Sequence, residues 1–359
     1  MIFLRTLLRE FAHLGVAVFL SLFLIALTTR LIRLLGQAAG GKVPSDAVVA
    51  FLGFSALNLL PVLLSLTLFI TVLLVMTRIW RDSEMVIWLN SGLSLAAWIR
   101  PVLIFAGPLV FVIAGLTFFI SPWSVQMAEQ YRTRVDARDD VSRVEPGAFG
   151  ESRSRDRVFF VESIAGDKTS VQNVFVSSVQ HQRAGVMMSE RGYTEYAPDG
   201  DRFLVLQSGR RYEGTPGEAD FRIMDFSRYA TRIETREGAE PASTQKSTST
   251  LGLIEEPTRS NLGELLWRAG IPISALVLSL LAIPMSFVNP RAGRSVNLLY
   301  ALLAYMVYSN LLSVSQARVA QGKLAFSIGW WLVHGLMLAL VLALFAHRMS
   351  LFRLRLRRD

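Results

Sequence analysis

The chain has 359 residues, 52% of them hydrophobic and only 18% charged, with a mean hydropathy of +0.40, whereas a soluble globular chain is about 25% charged. It contains no cysteine, which excludes disulfide staples, zinc–thiolate sites, iron–sulfur ligation and thiol chemistry. The formal charge of +9 is uneven: residues 122–267 hold 19 basic and 23 acidic side chains (−4) and the remainder 18 and 5 (+13), so the sequence reads as an apolar, basic membrane part with a water-soluble, mildly acidic insert.

Crossing roughly 30 Å of hydrocarbon takes about 20 apolar residues, and six stretches qualify: 11–31, 48–76, 98–120, 269–288, 296–314 and 324–345. The first is too long for a signal-peptide core, and no small-residue cleavage site follows Arg30-Leu31-Ile32-Arg33. It therefore reads as a span. Arg30 and Arg33 at its end share one helical face, with Lys42 soon after. Two readings stand: anchors that snorkel to the interface, or a binding site in which guanidinium forks grip phosphate at headgroup depth.

After the second span, residues 77–94 predict a two-turn helix at about 82–91. Asp82 or Ser83 is the expected cap, Glu84 suits the first turn, and Asn90-Ser91-Gly92 supplies a stop. Met85, Val86, Trp88 and Leu89 make it apolar beside the charged Glu84. It reads either as an interfacial helix or as a knob seated in a groove of a cytoplasmic partner. The chain has no G-x-x-x-x-G-K-[ST] phosphate loop, since Gly40-Gly41-Lys42-Val43 lacks the spacing; a coupling helix at Glu84, Met85, Val86, Trp88 and Leu89 would let a separate ATPase drive the spans.

The third span is followed by a polar helical stretch, 122–142. From Arg157 the pattern changes to period two: 158–161, 171–176, 202–206 and 221–226 read as strands, separated by turn signals at 165–167, 198–201, 208–209 and 215–217. This predicts an all-β sandwich or jellyroll with a core at about 143–236. Its edges either are protected or accept a strand from a partner's β-domain. Residues 237–257, rich in Ser, Thr, Glu and Pro, read as a mobile connector. The last three spans follow, with a tight turn at 286–294 and a basic tail ending in Arg353, Arg355, Arg357 and Arg358.

Pro61, Pro101, Pro108, Pro272 and Pro284 fall in the spans and predict helices that bend and repack. With the amino terminus inside, the inner short segments carry twelve Lys/Arg and the outer ones five, so both termini are expected to be cytoplasmic and the insert external. Three parts result: 1–121 (spans one to three), 122–267 (the external domain) and 268–359 (spans four to six and tail). His13, His181, His334 and His347 are scattered, and no nucleophile–base–orienter set can be assembled. No catalysis, cofactor, metal or nucleic-acid partner is expected.

Several segments in order resemble the permeases of the lipopolysaccharide export ABC transporter, the LptF/LptG (YjgP/YjgQ) family: residues 1–5 with Arg9-Glu10, Ser83-Glu84 through Gly92-Leu93-Ser94, Pro122-Trp123-Ser124, 157–163, Tyr212-Glu213-Gly214, Asp220-Phe221-Arg222 with Asp225-Phe226, Glu264 to Arg268 with Trp267, and Asn289-Pro290-Arg291 with Gly293-Arg294. The likeness covers essentially the whole chain, and the region of Arg30, Arg33 and 35–44 is similar to the LptF branch. It implies six membrane helices with a periplasmic β-jellyroll, an LptG partner around a central lipopolysaccharide cavity, an LptB ATPase dimer below, and LptC and LptA extending a bridge to the outer membrane. It further implies that Arg30 and Arg33 contact the lipid A phosphates and that Glu84 meets the ATPase. Tyr305, Tyr308 and Asn310 receive no role from it. The rival readings are a membrane signalling or mechanotransmitting protein with a periplasmic sensor domain and, opposed by the missing catalytic set, a membrane-embedded lipid-modifying enzyme.

Overall fold

A computed structural model describes residues 2–40, 43–142, 147, 149–151, 157–164, 170–180, 183–196, 202–215, 220, 222–233, 244–287 and 296–356. The chain divides into two compact units, residues 1–129 with 243–359, and residues 130–242.

The first unit is helical. Its elements in order are α1 (Ile2–Ala39), α2 (Val48–Arg81), α3 (Glu84–Asn90) and α4 (Ile99–Gly115), then a π-helical stretch Leu116–Ile120 running into α5 (Ser121–Ser142), and later α6 (Thr250–Glu255), α7 (Arg259–Met285), α8 (Val296–Ala320) and α9 (Phe326–Leu356). Among the described residues six helical segments are long and apolar enough to cross a membrane, one for each stretch expected. They outrun the apolar runs because polar turns extend them. Thus α7 begins ten residues before 269, where the Thr258 hydroxyl caps it by accepting from the Asn261 N–H at 3.2 Å.

The core lies between α2 and α7: Phe69, Leu73 and Met76 of the one and Leu278, Leu281 and Ala282 of the other are fully covered. The outer helices are open by contrast, with only 6% of the most apolar stretch of α1 buried, against 61% for α2 and 67% for α7. Lipid is as apolar as leucine, so such surface costs nothing in a bilayer and is free to meet lipid or another helix.

Pro61, Pro108, Pro272 and Pro284 sit inside continuous helices, and Pro101 in the first turn of α4. The clearest break in helical register is the π stretch. Pro122 has no N–H to give the Phe118 carbonyl one turn back, and the Thr250 hydroxyl takes that carbonyl at 2.6 Å.

The second unit takes the end of α5, from residue 130, and is otherwise β among the described residues. Its strands β1 (Phe149–Glu151), β2 (Arg157–Ile164), β3 (Ser170–Gln180), β4 (Arg183–Tyr196), β5 (Arg202–Gly214) and β6 (Arg222–Ile233) form one antiparallel sheet in chain order. Val174, Val176, Met187 and Leu206 make its small core. β1 and β4 escape a sequence reading: β1 is three residues long, and the Ser189-Glu190-Arg191-Gly192 centre of β4 carries no alternating apolar signal. The turn expected at Ser208-Gly209 is instead the middle of β5, where a side chain at Gly209 would stand 2.3 Å from the Met188 carbonyl and 2.5 Å from the Phe226 ring. The other expected turns lie wholly or mostly outside the described residues.

One pair is missing from each of the four long ladders, and the residues concerned, Glu162, Asn173, Glu190, Ser208 and Ser227, form a row across the sheet. Asn173 and Ser208 adopt left-handed backbone there. An open cleft of about 700 Å³ lies along this crease, lined by Phe175, Met188 and Tyr212 among others.

Candidate functional site

Arg30 and Arg33 lie one turn apart on α1, which continues through both of them to Ala39. Arg30 is half-buried, and its Nε donates to the Ser55 hydroxyl of α2 at 3.0 Å. Arg33 is exposed. Among the described residues no ion pair joins either guanidinium to a carboxylate, so two uncompensated cations share one helical end. Lys42 lies outside the described residues.

The second locus is the turn from α2 to α3. The helix expected at 82–91 is present as Glu84–Asn90. Its amino-terminal capping differs from expectation: Ser83 is the cap residue but has φ +62°, and its side chain makes no capping bond. Side-chain capping needs extended backbone at that position, and here the left-handed turn serves to reverse the chain instead. The stop is as expected. Gly92, at φ +91°, donates to the Leu89 carbonyl at 3.1 Å and Leu93 to the Trp88 carbonyl at 3.2 Å, the paired bonds of a Schellman motif.

Three elements meet at Arg78. Its Nε and Nη2 engage both oxygens of Glu10 on α1, at 2.5 and 2.9 Å, while Nη1 donates to Glu84 of α3 at 2.9 Å and to Asp82 at 3.3 Å. Arg81 also reaches Asp82, at 3.1 Å, and this hydrogen bond holds the Asp82 carboxyl below its usual value. Among the described residues two guanidinium groups thus face three carboxylates.

The five expected coupling residues divide between two faces. Met85 is fully buried, and Trp88 and Leu89 pack on the same core, so this i, i+3, i+4 set points inward. Val86 and the overlooked Ile87 are exposed, 45% and 69%, with Glu84 at their margin. The same spacing read on the sequence would have sorted these faces.

A buried cluster that sequence reasoning did not single out holds the return from the sheet. Arg268, 2% exposed, donates to Glu264 at 3.0 Å, the Thr250 hydroxyl at 2.9 Å and the carbonyls of Gln245, Lys246 and Thr248 at 2.9–3.1 Å. The connector expected to be mobile is therefore, from residue 244 onward, a folded turn leading into α6. Its polar composition, which mimics a linker, supplies the acceptors that a buried guanidinium needs. Residues 237–243 lie outside the described set.

Tyr308 and His334 (Nδ1) form a buried 2.6 Å hydrogen bond between α8 and α9, while Tyr305 contacts the Val62 carbonyl and Asn310 bonds its own helix at Met306. Among the described residues no group of three His, Asp or Glu is placed to hold a metal.

Six spanning helices, an all-β insert after the third, a short helix at the turn after the second and uncompensated arginines on the first are the build of a multi-pass membrane transport subunit. Residues 5–347 match the family described as lipopolysaccharide export system permease LptF/LptG, and the chain belongs to that family. It is 28% identical over 347 residues, 96% of this chain and 94% of the relative, to the lipopolysaccharide export system permease protein LptF of Escherichia coli K12, and equally similar to those of Escherichia coli O157:H7 and Shigella flexneri. It is thus a multi-pass inner-membrane permease subunit of a lipopolysaccharide-exporting ABC transporter.

Proposed function

We propose that this chain receives lipopolysaccharide at the outer leaflet of the inner membrane through Arg30 and Arg33 and is driven by a cytoplasmic ATPase seated on α3. Both termini are then cytoplasmic and the 130–242 unit is periplasmic. The chain pairs with an LptG permease; an LptB dimer supplies ATP hydrolysis, and this subunit catalyses nothing itself. LptC and LptA continue the path toward the outer membrane by adding strands to an edge of the sheet.

The observation that carries the reading is the pair of arginines that meet no carboxylate among the described residues, on a helix whose central apolar stretch lies open. In hydrocarbon a guanidinium is costly, whereas at headgroup depth it offers a bidentate grip on phosphate. Glu84, with Val86 and Ile87 beside it, supports the second half: an apolar knob edged by a carboxylate suits a groove edged by cations.

Two measurements test it. In vesicles containing the whole complex, Arg30→Gln with Arg33→Gln lowers photo-crosslinking to lipopolysaccharide while insertion stays normal; unchanged crosslinking overturns the binding role. Glu84→Ala uncouples ATP hydrolysis from export or weakens retention of the ATPase, and a fully coupled complex overturns the docking role.

A further inference from the structure

α1 carries both ends of the proposed mechanism. It runs without proline from Ile2 to Ala39, and the 20 residues from Glu10 to Arg30 rise about 30 Å at 1.5 Å per residue. It runs along α2 with Leu7 and Phe11 covered at one end and Leu34 at the other, but its central apolar stretch buries few side chains, so polar contacts add substantially to a thin apolar seam in setting its position. The contact at its Glu10 end is the bidentate pair with Arg78, and the same guanidinium reaches Glu84 through its remaining nitrogen.

We propose that Arg78 is a positioning residue that fastens the ATPase-docking helix α3 to α1, so that a displacement of α3 is delivered along α1 to Arg30 and Arg33. This rests on the reading of α3 as the docking helix. The geometry lets one carboxylate serve both partners. Glu84 holds Arg78 through Oε1, so its second oxygen can accept a cation of the ATPase while the bond to Arg78 persists. A docking event that displaces Glu84 then displaces Arg78 and the Glu10 paired with it, and α1, as a continuous rod, shifts at its far end.

The chain has no cysteine, so an introduced pair can be spin-labelled uniquely beside cysteine-free partner subunits. Labels at Ile32→Cys of α1 and Val49→Cys of α2, both exposed, report the separation of the two helices near Arg30 by double electron–electron resonance. The sample is the complete transporter in lipid nanodiscs, nucleotide-free and trapped with ATP and vanadate. The distance distribution is expected to shift on trapping, and Arg78→Ala and Glu10→Ala are each expected to lose that shift while the ATPase still co-purifies and hydrolyses ATP. A full shift in Glu10→Ala, or none in the unaltered protein, overturns the proposal. Glu84→Ala separates the two levels: retained coupling in that variant overturns the docking role of α3, whereas a shift that needs Glu84 but not Glu10 overturns only the link through Arg78.

Discussion

Arg268→Ala should open the turn at 244–250, by an amount that follows from what the guanidinium touches. Its loss leaves three backbone carbonyls and the Thr250 hydroxyl without their donor, and it strands the carboxylate of Glu264, 7% exposed, with Gln316 at 3.4 Å as its remaining hydrogen-bond donor among the described residues. Removing one partner of a buried ion pair costs about 3–5 kcal/mol. At about 1.4 kcal/mol per decade, opening becomes favoured by a factor of roughly a hundred to a few thousand. Lys246 is the one lysine or arginine between Arg236 and Arg259, its carbonyl is held by Arg268 at 3.1 Å, and the following Ser247 is buried. Tryptic cleavage after Lys246 therefore requires the turn to open and tracks the opening equilibrium when reclosure outpaces cutting. Limited trypsinolysis of the intact complex, following the peptide that begins at Ser247 by mass spectrometry, should show a rate increase of that order. Glu264→Gln keeps an acceptor for Arg268 and should raise the rate less. An unchanged rate in Arg268→Ala would refute the reasoning.

Gly209→Ala places a methyl group against the Met188 carbonyl and the Phe226 ring and should destabilise the sheet by about 1–3 kcal/mol; hydrogen exchange in β4 and β5 should accelerate, and unaltered protection there would contradict the packing argument. Gly92→Ala forces a side chain into left-handed backbone at roughly 1–2 kcal/mol, so the amides of Gly92 and Leu93 should exchange faster while those of α2 do not. Ser55→Ala removes the hydroxyl that holds Arg30. If that bond competes with phosphate, crosslinking to lipopolysaccharide should reach half-saturation at a concentration about tenfold lower or more, since a hydrogen bond to a charged group is worth about 1.5–3 kcal/mol; weaker binding would sink the competition.

The spans were legible because burial in lipid imposes a length and an apolar content on each helix independently of its neighbours, and all six expected stretches fall on helices. Their ends were not, since α7 is extended by a Thr258 cap that composition averages conceal. The coupling helix is legible from its stop at Gly92, but apolar character alone does not sort its faces: Met85 and Val86 are neighbours in sequence, and the i, i+3, i+4 set faces inward while Val86 is exposed. The Arg78 junction was invisible because Glu10 is 68 residues away in sequence, and no local pattern encodes a pairing across two helices. Arg268 was masked differently: a fully buried arginine runs against every composition rule and becomes intelligible only when its five acceptors are counted in space.

Two polar contacts between α1 and α2, at Glu10 and at Arg30, differ in kind, and the difference bears on which end of α1 is free to swing. At Glu10 the contact is a charged, bidentate pair; at Arg30 it is a single hydrogen bond from a guanidinium to a neutral hydroxyl. The Glu10 contact joins opposite charges through two parallel bonds, which adds energy and geometric definition over one bond to a neutral hydroxyl, so the Glu10 end is the firmer anchor. A phosphate presented to Arg30 supplies the opposite charge that Ser55 lacks and displaces that hydroxyl, whereas nothing comparable competes for Glu10 while Arg78 is in place. On the proposed reading α1 is thus a lever held at its inner end and released at its outer end by the substrate itself. Coupling between two binding events is reciprocal in free energy, so an ATPase that shifts α1 through Arg78 must itself bind more or less tightly according to whether Arg30 is occupied.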